Sequence, residues 1–166
     1  MDSLKDIFDK ISSYNIFNYL LPGILFIYLT KEISGYNLIQ ENNFVGAFLY
    51  YFAGLVVSRF GSLFIEPFLK RIKFLKFKDY KSFVAASKLD AQIELLSEVN
   101  NTYRTILAML VLLCFEYLYI SIKNHYAISH NITTIIVTIF ITILFLFSYR
   151  KQAAYISKRI EANIKN

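Results

Sequence analysis

Ile132 to Tyr149 reads ITTIIVTIFITILFLFSY, a run without a charged residue, closed at once by Arg150 and Lys151. As a helix rising 1.5 Å per residue it is about 27 Å long, close to the roughly 30 Å hydrocarbon core of a bilayer. Three further runs have the same character: Ile16 to Thr30, Phe44 to Leu69 and Thr105 to Ile122. A chain built this way does not fold in water. The expected fold is all-α: an integral membrane protein with four transmembrane helices, an amphipathic N-terminal helix and a helical cytoplasmic segment, forming a single membrane domain over residues 1–166.

Composition agrees with that reading. The chain is 56% hydrophobic, 17% aromatic and 18% charged, with mean hydropathy +0.44. Soluble domains carry about 25% charged residues. Once four spans are drawn, no room is left for an independent soluble enzyme domain among the 166 residues. The net charge of +6 would suit a nucleic-acid binder, but basic residues also mark the cytoplasmic flanks of membrane helices. That second reading is preferred, and nucleic acid is not expected as a partner.

Orientation follows from where the basic residues lie. Eight fall in residues 70–104, five in the tail from residue 150 and two before the first run, against only Lys31 and Lys123 in the two other connections. By the positive-inside rule both termini and the 70–104 segment are predicted cytoplasmic, in the inner membrane. An even number of spans requires the same. The first apolar run ends in Thr30-Lys31-Glu32 without a small-x-small cleavage pattern, so it is expected to remain as a signal anchor.

Residues 1–15 pattern as a short helix, with Ser3 as N-cap and Leu4, Ile7, Phe8 and Ile11 on one face. It suits the headgroup plane or the end of its own bundle. Pro22 removes a backbone donor and is expected to kink span one, and Gly23 allows close helix contact there. Span two, about 39 Å as helix, exceeds the hydrocarbon and is expected to tilt, kink near Gly61 or project. In the 70–104 segment Asp90 is placed to cap a helix whose stripe is Ile93, Leu96, Val99 and Tyr103. The tail from residue 150 to residue 166 is helical in pattern.

Arg59 is the sharpest polar feature, because an arginine inside hydrocarbon is costly. Ser62 and Glu66 follow on nearly the same face, and Glu116 is the other deep charge. Pairing of Arg59 with Glu66 or Glu116 is the expectation, either as a structural ion pair or as part of a polar lining; snorkelling of Arg59 to the headgroups is the alternative. Gly54, Ser58 and Ser62 form a small-residue ladder for helix packing, within the chain or between chains. Thr134, Thr138 and Thr142 form a hydroxyl ladder that lines a water path or bonds back to its own helix. Lys70, Arg71, Lys73, Lys76, Lys78 and Lys81 are candidates for contact with lipid headgroups or a cytoplasmic protein partner. Tyr14, Tyr19, Tyr28, Tyr117, Tyr119 and Tyr149 read as an aromatic belt.

No phosphate-loop, dinucleotide, zinc-protease or nucleophile-elbow pattern is present. Cys114 is a single cysteine inside an apolar run and reads as a packing residue. His125 and His130 lack the further ligands that zinc needs. No catalytic, cofactor-binding or metal residue is assigned, no cofactor is expected, and the chain is not expected to be an enzyme.

Four stretches carry a resemblance: Asn15-Ile16-Phe17-Asn18-Tyr19-Leu20-Leu21-Pro22-Gly23, Ser58-Arg59-Phe60-Gly61-Ser62, Ser97-Glu98-Val99-Asn100-Asn101 and Arg150-Lys151-Gln152. In their order along the chain the protein resembles small bacterial four-span membrane proteins. Its layout is also similar to membrane accessory proteins of antiphage and CRISPR systems, including those beside RNA-targeting type VI-B effectors. The resemblance implies a membrane accessory protein in a bacterial defence setting. Small size, the helix-packing ladder, the buried charges and the basic cytoplasmic segment motivate the first functional expectation, an effector or accessory subunit that self-assembles and alters permeability. The alternative is a non-conducting scaffold that recruits a partner through residues 70–104. A small transporter is a third reading, weakened by the lack of internal similarity between spans one–two and three–four.

Overall fold

The computed structural model describes residues 15–164, and these are helical with no strand among them. Four helices are long and apolar enough to cross a membrane: α1 (Ile16–Ser34), α2 (Asn43–Arg71), α4 (Gln92–His125) and α5 (His130–Ile164). A short helix, α3 (Tyr80–Leu89), lies between α2 and α4 in the chain. The amphipathic N-terminal helix, with Ser3, and Tyr14 fall outside the described residues.

The helix ends follow local rules. Asn42 caps α2, its side-chain oxygen accepting from the N–H groups of Phe44 at 2.9 Å and Val45 at 3.2 Å. Gly35 ends α1 in the left-handed conformation that a side chain disfavours. Asp79 caps α3 through the Ser82 N–H and hydroxyl, and these bonds hold its carboxyl below the usual carboxylate range. Asp90 accepts from the Gln92 N–H at 2.9 Å at the start of α4.

Both α1 and α2 contain a π-helical turn, Ile16–Leu20 and Gly61–Ile65. Each ends two residues before a proline, Pro22 or Pro67. Proline lacks the N–H for the ladder and its ring crowds the carbonyl one turn back, so a widened turn relieves the conflict. The kinks anticipated at Pro22 and near Gly61 are therefore π turns.

Helices α1 and α2 cross with backbones touching. A Cβ on Gly23 would overlap the Tyr50 carbonyl oxygen, and one on Gly54 would overlap the Tyr19 carbonyl oxygen. Beside this crossing lies the apolar core of Val57, Phe60, Ala108, Met109, Leu113 and Leu144. Phe60 meets Phe115 and Phe140, and Phe52 stacks on Phe145 at 5.9 Å, which ties α5 to α2.

The last two long helices exceed the apolar runs from which they were read. Residues 92–104 continue the third run without a break, and residues 150–164 continue the fourth. With 34 and 35 residues, α4 and α5 are each about 50 Å long, about 20 Å more than the thickness of a bilayer's hydrocarbon core. Tyr80 of α3 meets Tyr155 of α5, ring centroids 5.8 Å apart, so α3 packs on the part of α5 past its apolar run. The apolar stripe of this segment is largely turned outward, since Leu96, Val99 and Tyr103 are exposed.

Candidate functional site

The π turn of α1 carries Asn18 and Tyr19 into the bundle, where α2 brings Ser58 and α4 brings Thr105. All four are buried. The Thr105 hydroxyl lies 2.9 Å from Asn18 Oδ1, 2.9 Å from the Asn101 carbonyl oxygen and 3.2 Å from Ser58 Oγ. It has one proton to donate, so Asn18 and Asn101 compete for it while the Ser58 hydroxyl is free to donate to Thr105. Asn18 Nδ2 also faces Ser58 Oγ at 3.5 Å. Three helices thus satisfy one another's polar groups away from water, as buried polar groups require.

Arg59 follows Ser58 but takes a different partner from those expected. Its guanidinium donates to the Tyr19 hydroxyl at 3.2 Å. Among the described residues it forms no ion pair with Glu66 or Glu116. Glu66 is engaged instead by Lys70 at 2.6 Å and Arg104 at 2.7 Å. Glu116 lies far along α4 from that end and accepts from the Thr30 hydroxyl at 2.9 Å. For Glu116 the expectation failed on depth, because it bonds Thr30 near the opposite end of α1, about 17 Å along α4 from Thr105. Glu66 lies past the π turn Gly61–Ile65, where Lys70 and Arg104 engage it. Tyr19 is buried beside Tyr51 and is no member of an outer belt, whereas Tyr28, Tyr117 and Tyr149 are exposed.

Ser62 accepts twice from Lys151 of α5, through its carbonyl oxygen at 2.6 Å and its hydroxyl at 2.7 Å. The ladder of Gly54, Ser58 and Ser62 therefore faces inward along its whole length and contacts, in turn, α1, α4 and α5. It is an intrachain packing face. At the far end of the bundle the Lys123 ammonium bonds the Tyr36 hydroxyl, and the Tyr119 and Thr133 hydroxyls meet at 2.8 Å.

The threonine ladder lies on the outward side of α5. Thr134, Thr138 and Thr142 are all exposed. Thr134 bonds back to the His130 carbonyl and Thr142 to the Thr138 carbonyl. Of the basic candidates, Lys70 turns back to Glu66 and over the Phe77 ring. Arg71, Lys73, Lys76, Lys78 and Lys81 are exposed. Lys81 shares an open cleft with Tyr80, Lys158, Glu161 and Ala162. Cys114 is exposed on α4. Among the described residues no group of His, Cys, Asp or Glu is placed to hold a metal.

Sequence reasoning passed over Asn18, Thr105, Arg104 and Lys151. The available signal was polarity inside or at the edge of an apolar run. Asn18 sits one turn before Pro22, and Lys151 was read only as a stop signal. Comparison with known protein families, curated proteins and solved structures gives no match.

Proposed function

We propose that the protein is a multi-pass accessory or effector subunit of a bacterial inner membrane, with both ends cytoplasmic, which assembles in several copies and alters permeability in a defence setting. The observation that carries this reading is the state of α5. Only 11% of its most apolar window is buried, against 39% in α1 and α2. Its outward side bears Thr134, Thr138 and Thr142 among Ile135, Ile139 and Ile143. Asn18, Ser58, Thr105 and Ser62 are engaged with one another or with Lys151 inside the bundle, so a conducting path favours the space between copies. Membrane insertion is supported by the length and hydropathy of the four helices, orientation by the distribution of lysine and arginine, and the defence setting by resemblance of layout. No catalytic role is assigned.

The test is native mass measurement in detergent paired with ion flux from liposomes. Oligomers with flux support the reading, and flux should fall when Thr134, Thr138 and Thr142 are all replaced by valine while the mass stays unchanged. A strict monomer removes it.

One observation favours the scaffold instead: α3 packs on the part of α5 that extends past its apolar run, and exposed Lys73, Lys76 and Lys78 precede α3 in the chain. Reversing those three charges separates the readings. Lost recruitment of a cytoplasmic partner with unchanged flux supports the scaffold, and unchanged recruitment counts against it.

A further inference from the structure

Where α2, α4 and α5 meet, three cations gather about one carboxylate. Lys70 and Arg104 share Glu66. Lys151 reaches in from α5 to Ser62 and feels the charges of Glu66, Arg104, Lys70 and Arg59. Glu66 offsets one positive charge. Two remain in excess, before Arg59 is counted, in a place where water is partly excluded. Charges so placed call for a counter-charge and filled hydrogen bonds.

Two donors are also left over. Arg104 Nε is buried and has no partner, although Nη1 is engaged. Ser148 Oγ, one turn before Lys151 on the same helix, is buried without a partner, its residue 8% exposed. Lys151, Arg104 and Ser148 lie on the two helices that meet α2 here, and Arg104 Nε and Ser148 Oγ lack an acceptor. A phosphate group supplies several acceptor oxygens and negative charge together. Entry is open on one side, because the Lys70 side chain is 43% exposed against 17% for Arg104.

Depth narrows the source. The shortest apolar helix, α1, sets the position of a bilayer, and Asn18 lies in its first turn, level with Ser58. Ser62 and Glu66 lie one and two turns further along α2, about 6 and 12 Å past that level. This distance brackets the headgroup layer next to a hydrocarbon core of about 30 Å.

We propose that Lys151, Arg104, Lys70 and Ser148 form a binding site for a phosphate group, supplied by an anionic lipid headgroup at the cytoplasmic edge of the membrane. The site belongs to a single chain and does not depend on assembly or conduction.

The test is thermal melting of the detergent-purified full chain, titrated separately with short-chain phosphatidylglycerol, phosphatidylcholine of the same acyl length and inorganic phosphate. Phosphatidylglycerol is expected to raise Tm and phosphatidylcholine to leave it unchanged. Lys151→Gln is expected to weaken the phosphatidylglycerol response about tenfold in concentration, and Ser148→Ala severalfold. Lys88→Gln, which removes the same charge in the last turn of α3, leaves it unaltered. Should Lys151→Gln fail to fold, Arg104→Lys decides, because it keeps the charge facing Glu66 but loses Nε. A rise with inorganic phosphate alone overturns the lipid assignment and makes the source a soluble phosphate. Equal responses to both lipids, no response to any ligand, or undiminished phosphatidylglycerol binding by the folded Lys151 or Arg104 variant overturns the site.

Discussion

Thr105 joins three helices through one hydroxyl. It serves Asn18 of α1 and Ser58 of α2 and returns to the Asn101 carbonyl of its own helix. Thr105→Val keeps the shape and removes the hydroxyl, so Asn18 and Ser58 lose a partner in a dry environment. The expected cost is about 1–3 kcal/mol, read as a lower melting temperature in detergent. Thr134→Val, which loses only a bond to its own helix on the outward face, is expected to change melting little; equal losses in the two variants would contradict the assigned burial. Asp79 gives a pH-dependent prediction outside the apolar helices. Its folded pKa lies below the ordinary Asp value, so its capping contribution is complete above about pH 4 and is lost as pH falls through the lowered folded value. Residues 80–89 should lose helical chemical shifts on acidification in the wild type. In Asp79→Asn, which caps without titrating, acidification should leave that helix unchanged; parallel losses in both would assign the effect elsewhere. At this scale the sequence displayed Arg59, Glu66 and Glu116 as unusual, but not their partners. Tyr19, Thr30 and Arg104 fill those places because partner choice depends on depth relative to the other helices and on the π turn between Arg59 and Glu66, which spacing along a single run does not encode.

Among elements, the crossing of α1 and α2 depends on missing side chains. A methyl on Gly54 would meet the Tyr19 backbone, whereas one on Gly46 would meet only Tyr50 ring atoms, at 3.2 Å or more. Gly54→Ala is therefore expected to force the helices apart, costing about 1–3 kcal/mol as an overpacked interior does. Gly46→Ala should cost clearly less, since a ring shifts more easily than a backbone. Thermal melting of the two variants side by side checks the order. The spacing of Gly54, Ser58 and Ser62 announced a packing face, and Pro22 and Gly61 announced distortions. The π form of those turns was not legible, because it comes from relieving proline crowding while keeping Asn18 and Ser62 turned inward. Helix after Asp90 and after residue 150 was legible, but not that these segments continue α4 and α5 without a break. Hydropathy stops at the lipid boundary, while a helix continues as long as its residues favour it and a neighbour such as α3 covers one side.

For the whole molecule, the proposed orientation, argued from four apolar helices and the distribution of lysine and arginine, makes a direct prediction. Reporter fusions at residues 36 and 128 should lie outside and a fusion at residue 76 inside, and any exchange among these would break the arrangement. The greater part of α5 faces outward within the single chain, and in the proposed assembly other copies of the chain cover it. Native mass spectrometry of the protein released from lipid nanodiscs tests that claim most directly. The account predicts discrete species at whole-number multiples of the 19.4 kDa chain, persisting on dilution. A single 19.4 kDa species at every concentration would contradict it.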